Sequence, residues 1–500
     1  MDTILNLGNT REVFWDDYII DTKRTDAEKK LHPPIRKEKI MEMNELWEGD
    51  ACYFFRILKD DDIYRMYYFA GCFGALRDNP PPDSEGEPVR VCYAESKDGI
   101  HWKKPILNIC EYNGSTENNI IINASTDSWH NPKSHGGSLF VMKDPNTECP
   151  EDERYKAIYG VSFNGRNALK YVASADGIHF RYIRTIMEIP YHFDSLNTVH
   201  YNKEEKKYVC YFRGWHTHND FKSPPTPGQK DNTRDIRRIE SPDFVNWSEP
   251  IPLRYGENAP DFQIYTNAIE EYYRAPHILV GFPSRYIDRG VWSDSYEELC
   301  GKESRKKRME ISPRFGYAVT DTMFMCSRDG INFERPSEAY IRPEQENDWS
   351  WVYGENFVSA GLYEVPSDLP GSFPELSLLL TARRFTPDER GVFLYRYAIR
   401  PDGFISRSAG YEPKTIVTKP FLFDGNTLLL NFATSAAGYV KIEILDKTYR
   451  PIENYSSCEI FGNTIDRKIG FPADLSLLQG KPIRLKFTLS DADIYSFKFS

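Results

Sequence analysis

Between residues 50 and 400 the chain alternates short apolar runs with polar turns, and its apolar positions recur at every second residue, the period of a half-buried strand. Tyr64-Arg-Met-Tyr-Tyr68, Arg90-Val-Cys-Tyr-Ala-Glu95, Lys170-Tyr-Val-Ala173 and Lys207-Tyr-Val-Cys-Tyr-Phe212 are such runs. One phrase returns between them, as Ser96-Lys-Asp-Gly-Ile-His-Trp102, Ser174-Ala-Asp-Gly-Ile-His-Phe180, Ser241-Pro-Asp-Phe-Val-Asn-Trp247 and Ser327-Arg-Asp-Gly-Ile-Asn-Phe333. A degenerate fifth copy is Arg400-Pro-Asp-Gly-Phe404, and successive aspartates lie 78, 67, 86 and 73 residues apart. Such intervals suit a four-stranded antiparallel unit with insertions. Each phrase predicts the hairpin turn between the third and fourth strand, with Asp-Gly supplying the residue that accepts positive φ. Five copies predict an all-β chain built as a five-bladed β-propeller.

After Tyr411 the repeats stop. Leu428-Leu-Leu-Asn-Phe432, Val440-Lys-Ile-Glu-Ile444, Ile483-Arg-Leu-Lys-Phe487 and Ile494-Tyr-Ser-Phe-Lys-Phe499 still alternate, which predicts a C-terminal β-sandwich. The expected division is a propeller over 1–410 and a sandwich over 411–500. A chain of 500 residues exceeds what one ordinary core supports, so this division is reasonable on size alone.

The formal net charge of -11 argues against nucleic acid or an anionic membrane as partner, since both need a positive field. A soluble ligand such as an oligosaccharide fits better. Residues 1–20 hold four carboxylates and no apolar run long enough for an export signal or a membrane span. Nine scattered cysteines without a Cys-x-x-Cys pair read as the reduced thiols of a cytoplasmic protein. Clustered metal-ligand spacings are lacking, so neither a metal nor another cofactor is expected.

Five blades that end in Ser-x-Asp-Gly-Ile-x-Trp and lead into a β-sandwich resemble the clan of glycoside hydrolase families 32, 43 and 68. Phe14-Trp-Asp-Asp-Tyr18, Trp47-Glu-Gly49 and Tyr265-Thr-Asn-Ala268 are similar to phrases in a family 32-like group of uncharacterised bacterial proteins. The resemblance implies a glycoside hydrolase with paired carboxylates in the propeller channel. The chain departs from the invertases, lacking their Trp-Met-Asn-Asp-Pro-Asn and Arg-Asp-Pro phrases. Asp144-Pro-Asn146 follows the strand Gly137-Ser-Leu-Phe-Val-Met142 and reads as a turn. The related family 130 phosphorylases, which need one acid and hold phosphate with basic residues, are the nearest alternative. A non-catalytic sugar-binding propeller is another, and a sialidase, with its longer Asp-box and six blades, a minor one.

Glycosidic cleavage needs an acid to protonate the leaving oxygen and a carboxylate across from it. Only channel-facing acids qualify, which sets aside Asp98, Asp176, Asp243 and Asp329 at the opposite rim. The starts of the innermost strands offer Glu48, Asp194, Asp261 and Glu355 as catalytic candidates. Glu48 and Asp194 are equally compatible with merely tying down a loop or turn. Trp47 and Asp50 flank Glu48. Gln263, Tyr265 and Asn267 alternate toward one face after Asp261, and Trp351 and Tyr353 precede Glu355. His130, Asn131 and His135 offer polar groups at the second blade, and Arg213, Asp235, Arg285 and Arg383 stand near strand ends at the rim. All are expected to contact substrate. Long connections at 71–88, 214–234 and 284–313 build the rim, and the basic run 302–308 reads as a solvated face.

Overall fold

The structure, a computed structural model, describes residues 3–71, 89–123, 135–163, 166–189, 193–217, 232–257, 259–384 and 391–500. It is all-β, with 52% strand against 6% helix. Much of two expected rim connections, 72–88 and 218–231, lies outside the described residues.

The repeats fold as a succession of antiparallel sheets. The first runs Tyr53–Asp60, Ile63–Gly71, Val89–Ser96 and Trp102–Lys103, with Ile120–Ile122 added on Val89–Ser96. The second runs His135–Lys143, Tyr155–Phe163, Arg166–Ser174 and Arg181–Ile189, and the third Thr198–Asn202, Lys207–Thr217, Asn232–Ser241 and Ile251–Pro252. In the fourth repeat the ladder is interrupted. Glu270–Tyr272, Ala275–Gly281 and Met325–Ser327 form one part, and Gln263–Ile264, Ser284–Asp288 and Ala318–Thr322 the other. Pro283 has no N–H to give the ladder, though its carbonyl still accepts from the Met323 N–H at 2.9 Å. The fifth sheet runs Tyr363–Val365, Glu375–Ala382 and Val392–Ile399, and its outer strand is Ile35–Met43 from the N-terminal region.

Four Asp-Gly phrases make the expected turns. Asp98 Oδ1 accepts from the N–H groups of Ile100 and His101 at 2.9 and 2.8 Å, and Asp176, Asp243 and Asp329 repeat the pattern. Gly99, Gly177 and Gly330 take φ of 77°, 78° and 71°, and Phe244, standing where glycine is missing, still takes 63°. Tyrosines tie each of three turns to the neighbouring sheet. Tyr67 donates to Gly177 O, Tyr211 to Gly330 O and Tyr363 to Gly99 O, each at 2.9 Å. The last of these sets the fifth sheet against the first.

The fifth phrase departs from expectation. It makes no hairpin to a fourth strand, because the N-terminal strand Ile35–Met43 already occupies that edge. Instead Asp402, buried with φ of 64°, accepts from Tyr272 Oη at 2.7 Å, Arg274 Nε at 2.9 Å and Ser496 Oγ at 2.6 Å. From there the chain passes into Ile405–Ala409, part of a ten-stranded C-terminal sheet.

That sheet is dominated by two long paired strands, Leu428–Asp446 and Ile483–Phe499. Each joins two runs that the sequence suggests as separate strands. The pairing register shifts between Thr434 and Tyr439, beside the polar break at 434–439. Three N-terminal strands, Leu5–Gly8, Arg11–Val13 and Glu28–Leu31, complete the sheet. The topology therefore does not follow a single cut at residue 410. Phe14, Ile416, Leu430, Phe487 and Phe497 form its core, separate from the aromatic core that holds Tyr53, Phe193, Tyr265 and Phe357. Among the described residues no helix is long and apolar enough to cross a membrane.

Candidate active site

Asp194 projects from a tight bend just before Thr198–Asn202. Asn197 holds the bend by donating to Phe193 O at 3.0 Å and Ser195 O at 3.2 Å. The Asp194 side chain keeps 32% of its surface exposed, which leaves it open to a ligand. Tyr265 Oη donates to Asp194 Oδ2 at 3.1 Å and itself accepts from Tyr353 Oη at 2.7 Å. Arg213 Nη2 stands 3.9 Å from the same oxygen. The Arg384 guanidinium lies 3.7 Å over the Tyr53 ring, and that of Arg314 lies 4.9 Å over the Tyr353 ring. Burial pushes the Asp194 carboxyl up, but Arg213, Arg384, the Tyr265 hydrogen bond and Arg314 together hold it below the usual carboxylate range. Asp194 is therefore ionised at neutral pH.

Glu355 behaves in the opposite way. Burial pushes its carboxyl up to about 8 despite the opposing effect of the Arg308 charge. It is neutral at pH 7 and able to donate a proton. With Trp349, Phe393, Tyr395 and Tyr397 it lines a cavity of about 210 Å³. Arg384 lies between Asp194 and the segment that carries Glu355. Besides acting on Asp194, it packs against Gly354, where an added Cβ would come within 2.5 Å of Arg384 Nη1 and where φ is 86°. The positive φ is what requires glycine there.

Asp261 belongs to a third arrangement. His216 Nε2 lies 3.0 Å from Asp261 Oδ2, and His216 Nδ1 lies 3.1 Å from Asp235 Oδ2. Arg237 grips Asp235 with Nε and Nη2 at 2.9 and 2.7 Å. Burial pushes the pKa of the imidazole down, but the two carboxylates more than reverse it and the ring is biased toward its protonated form. The chain Arg237, Asp235, His216 ends in Asp261, whose side chain is 28% exposed.

Several expected residues are placed elsewhere. Glu48 has no exposed surface, and its carboxylate accepts from Tyr68 Oη at 2.6 Å, Lys104 Nζ at 2.7 Å and the Glu45 N–H at 2.9 Å. It holds a wall together and offers no face to a substrate. Trp47 does likewise, donating to Asn119 Oδ1 at 2.7 Å. Asn267 donates to Leu196 O and accepts from Thr198 Oγ1 and the Ile269 N–H, so it joins strands. Arg285 is held by Asp321 at 2.9 and 2.5 Å, and Arg383 is buried over the rings of Trp349 and Phe393. Asp50 is buried near Arg308. Trp351 takes φ of 60° and donates to Glu344 O at 2.8 Å. Gln263 accepts from Arg234 Nη1. His130, Asn131 and the side chain of His135 lie outside the described residues.

The basic run 302–308 is a solvated face only in part: Lys302 is part-exposed, Lys306 is exposed and both pair with Glu297, but its two arginines are buried. It lies in the helix Lys302–Ile311, whose Arg305 donates to Trp351 O and Ser350 O at 2.6 and 2.8 Å, while Arg308 is 2% exposed. Sequence reasoning also misses Arg234, Arg314, Arg384 and His216. The one available signal is that each sits at or near the end of an alternating strand or, for Arg314, in a long insertion.

No protein-family model matches the sequence, and no curated protein matches it. Solved structures align with it at low identity. An N-acetylgalactosamine deacetylase from F. plautii, in complex with blood group B trisaccharide, is 11% identical with a TM-score of 0.43, covering 74% of this chain and 94% of that one. A fructofuranosidase from Schwanniomyces occidentalis, complexed with fructosylnystose, is 10% identical with a TM-score of 0.40, covering 95% and 98%. A structure from the family 130 mannoside phosphorylases, described as containing glycoside hydrolases that target β-1,2 mannosidic linkages in Candida mannan, is 11% identical with a TM-score of 0.41, covering 79% and 99%. At this degree of overlap the likenesses assign no activity to the chain.

Proposed function

We propose that the chain is a carbohydrate-active enzyme that cleaves a glycosidic bond of an oligosaccharide, with Asp194 as the carboxylate and Glu355 as the proton donor. The fold reading that goes with it is a five-bladed propeller over 35–400, with 3–31 and 405–500 forming a β-sandwich in place of the simple division at residue 410. One observation carries the functional reading: Asp194, joined through Tyr265 to Tyr353, and Glu355, on the same segment as Tyr353, are driven to opposite protonation states, Asp194 ionised and Glu355 neutral. Glycoside cleavage needs that asymmetry, since one group must give a proton to the leaving oxygen while the other attacks or activates water. Asp261, oriented by His216, serves to position substrate. Glu48 has no part in the chemistry.

The test is a turnover screen on fructosides, arabinosides, mannosides and uronic-acid glycans with the wild type, Asp194→Asn and Glu355→Gln. Loss of cleavage in both variants with sugar binding retained supports the reading and removes the non-catalytic one. Undiminished cleavage in either variant refutes the assignment of that residue. Phosphorolysis is the second reading, favoured by the surplus of arginines over carboxylates around Asp194. It requires that turnover depend on added phosphate and release a sugar phosphate.

A further inference from the structure

We infer that the centre around Asp194 is built to take an oxyanion, a carboxylate- or phosphate-type group carried on the sugar or supplied as free phosphate. This rests on Asp194 being the reaction centre and deepens that reading to a substrate class. The carrying feature is a convergence of guanidinium groups on one aromatic patch. Tyr265, Tyr286 and Tyr353 are mutual neighbours, with ring centroids 6.2, 5.8 and 5.9 Å apart. Arg213 and Arg234 lie 5.1 and 5.3 Å over Tyr265, Arg234 also lies 4.7 Å over Tyr286, and Arg314 and Arg384 lie 4.9 and 5.7 Å over Tyr353.

Against these four cations the described residues place two carboxylates at the patch, Asp194 and, on its Tyr286 side, Asp288, which accepts from Tyr286 Oη at 3.1 Å. Neither Arg234 nor Arg314 has an ion pair among the described residues, and the buried Arg234 Nε and Arg314 Nη1 atoms lack hydrogen-bond partners. Arg308 adds a further buried cation behind them. Its Nη2 donates to Arg384 O at 3.3 Å, while its Nε and Nη1 have no partner. Cations gathered this closely destabilise one another, and a buried guanidinium with unmade hydrogen bonds is costly. An oxyanion answers both problems, because it neutralises the charge and accepts from the planar guanidinium fork in paired hydrogen bonds. A neutral sugar answers only the second.

Isothermal titration of the full chain with inorganic phosphate, sulfate, D-galacturonate and D-galactose tests the inference. At least one anionic probe is expected to bind tenfold or more tightly than galactose, and Arg234→Gln and Arg314→Gln are each expected to weaken it tenfold or more. No preference for anions in the wild type overturns the inference, as does unchanged anion binding in both variants. The two sources separate by product: uronide-specific cleavage without phosphate marks an anion on the sugar, and phosphate-dependent release of a sugar phosphate marks a free one. Asp194→Asn separates this inference from the functional reading. Anion binding that persists or tightens in that variant, with cleavage lost, supports both. Persistent binding with cleavage intact leaves the anion site standing and removes Asp194 from the chemistry. Lost cleavage in a protein whose wild type never binds the anions removes the anion site alone.

Discussion

Glu48 and Asp194 occupy equivalent points, each a few residues ahead of the first strand of its sheet, yet their surroundings differ in kind. Around Glu48 the lone pairs are filled by Tyr68, Lys104 and a backbone N–H, and the group is shut off from solvent. Burial is the largest influence on its carboxyl and pushes it up, with Lys104 opposing. Around Asp194 one tyrosine donates, the arginines stand off, and a third of the side chain remains open. Equivalent position in a repeat thus settles where an acid starts, while its partners settle whether anything is left for a ligand. A carboxylate with all its partners supplied locally contributes stability, and one surrounded by charge that it does not saturate is available for chemistry.

The sharpest way to break this contrast is to remove each acid in turn. Asp194→Asn is expected to lower turnover by about 10²–10⁴-fold, the usual contribution of a positioned acid or base, with urea denaturation nearly unchanged. A variant that unfolds more readily but turns over normally would place Asp194 with Glu48. Glu48→Ala should do the reverse. It strands Lys104 and Tyr68 in a closed wall, so the unfolding free energy should fall by about 3 kcal/mol, while the specific activity of the protein that remains folded is retained.

The turns and the sheet order were legible because they are local. Ser96-Lys-Asp-Gly closes its hydrogen bonds within six residues, and Phe244 shows that the side chains around the turn can impose positive φ even where glycine is absent. The closure of the fifth sheet by Ile35–Met43 was not legible, since an alternating strand reads the same whichever edge it pairs with. The same limit separates Glu48 from Asp194. Lys104 is 56 residues from Glu48, and Arg384 meets Asp194 only across the fold. The run 302–308 looks solvent-facing by charge, yet two of its arginines point inward, because carbonyls distant in sequence, those of Ser350, Trp351 and Arg384, receive them.

Glu355 sharpens the comparison by combining burial like that of Glu48 with the chemistry assigned to Asp194. Its folded pKa, about 8, lies above the ordinary 4.5. Between pH 4.5 and 8 the folded state holds a proton that the unfolded state has lost, so stability falls as pH rises through this window. Glu355→Gln cannot ionise and escapes the loss. Its melting temperature should match the wild type near pH 4 and exceed it by roughly a few degrees at pH 8. If Glu355 is the proton donor, the wild-type rate should also decline on an alkaline limb near pH 8. A wild-type rate that stays flat to pH 9 would detach Glu355 from proton transfer.

The smallest expected effect concerns His216, where a buried charge lies between two carboxylates, Asp235 buried and Asp261 part-exposed. The groups that face its ring are Asp235, itself gripped by Arg237, and Asp261. Because these carboxylates raise the imidazole above its ordinary 6.5, its contribution to stability is fully present below pH 6.5 and is lost as pH rises through the folded value. His216→Gln keeps the size of the side chain but can donate to only one of the two aspartates. It should unfold about 1 kcal/mol more easily than the wild type at pH 6, and the gap should narrow by pH 9. A gap that is constant across this range would mean that the ring is neutral throughout. Asp261 would then be held by an ordinary hydrogen bond, and its orientation toward substrate would not depend on pH.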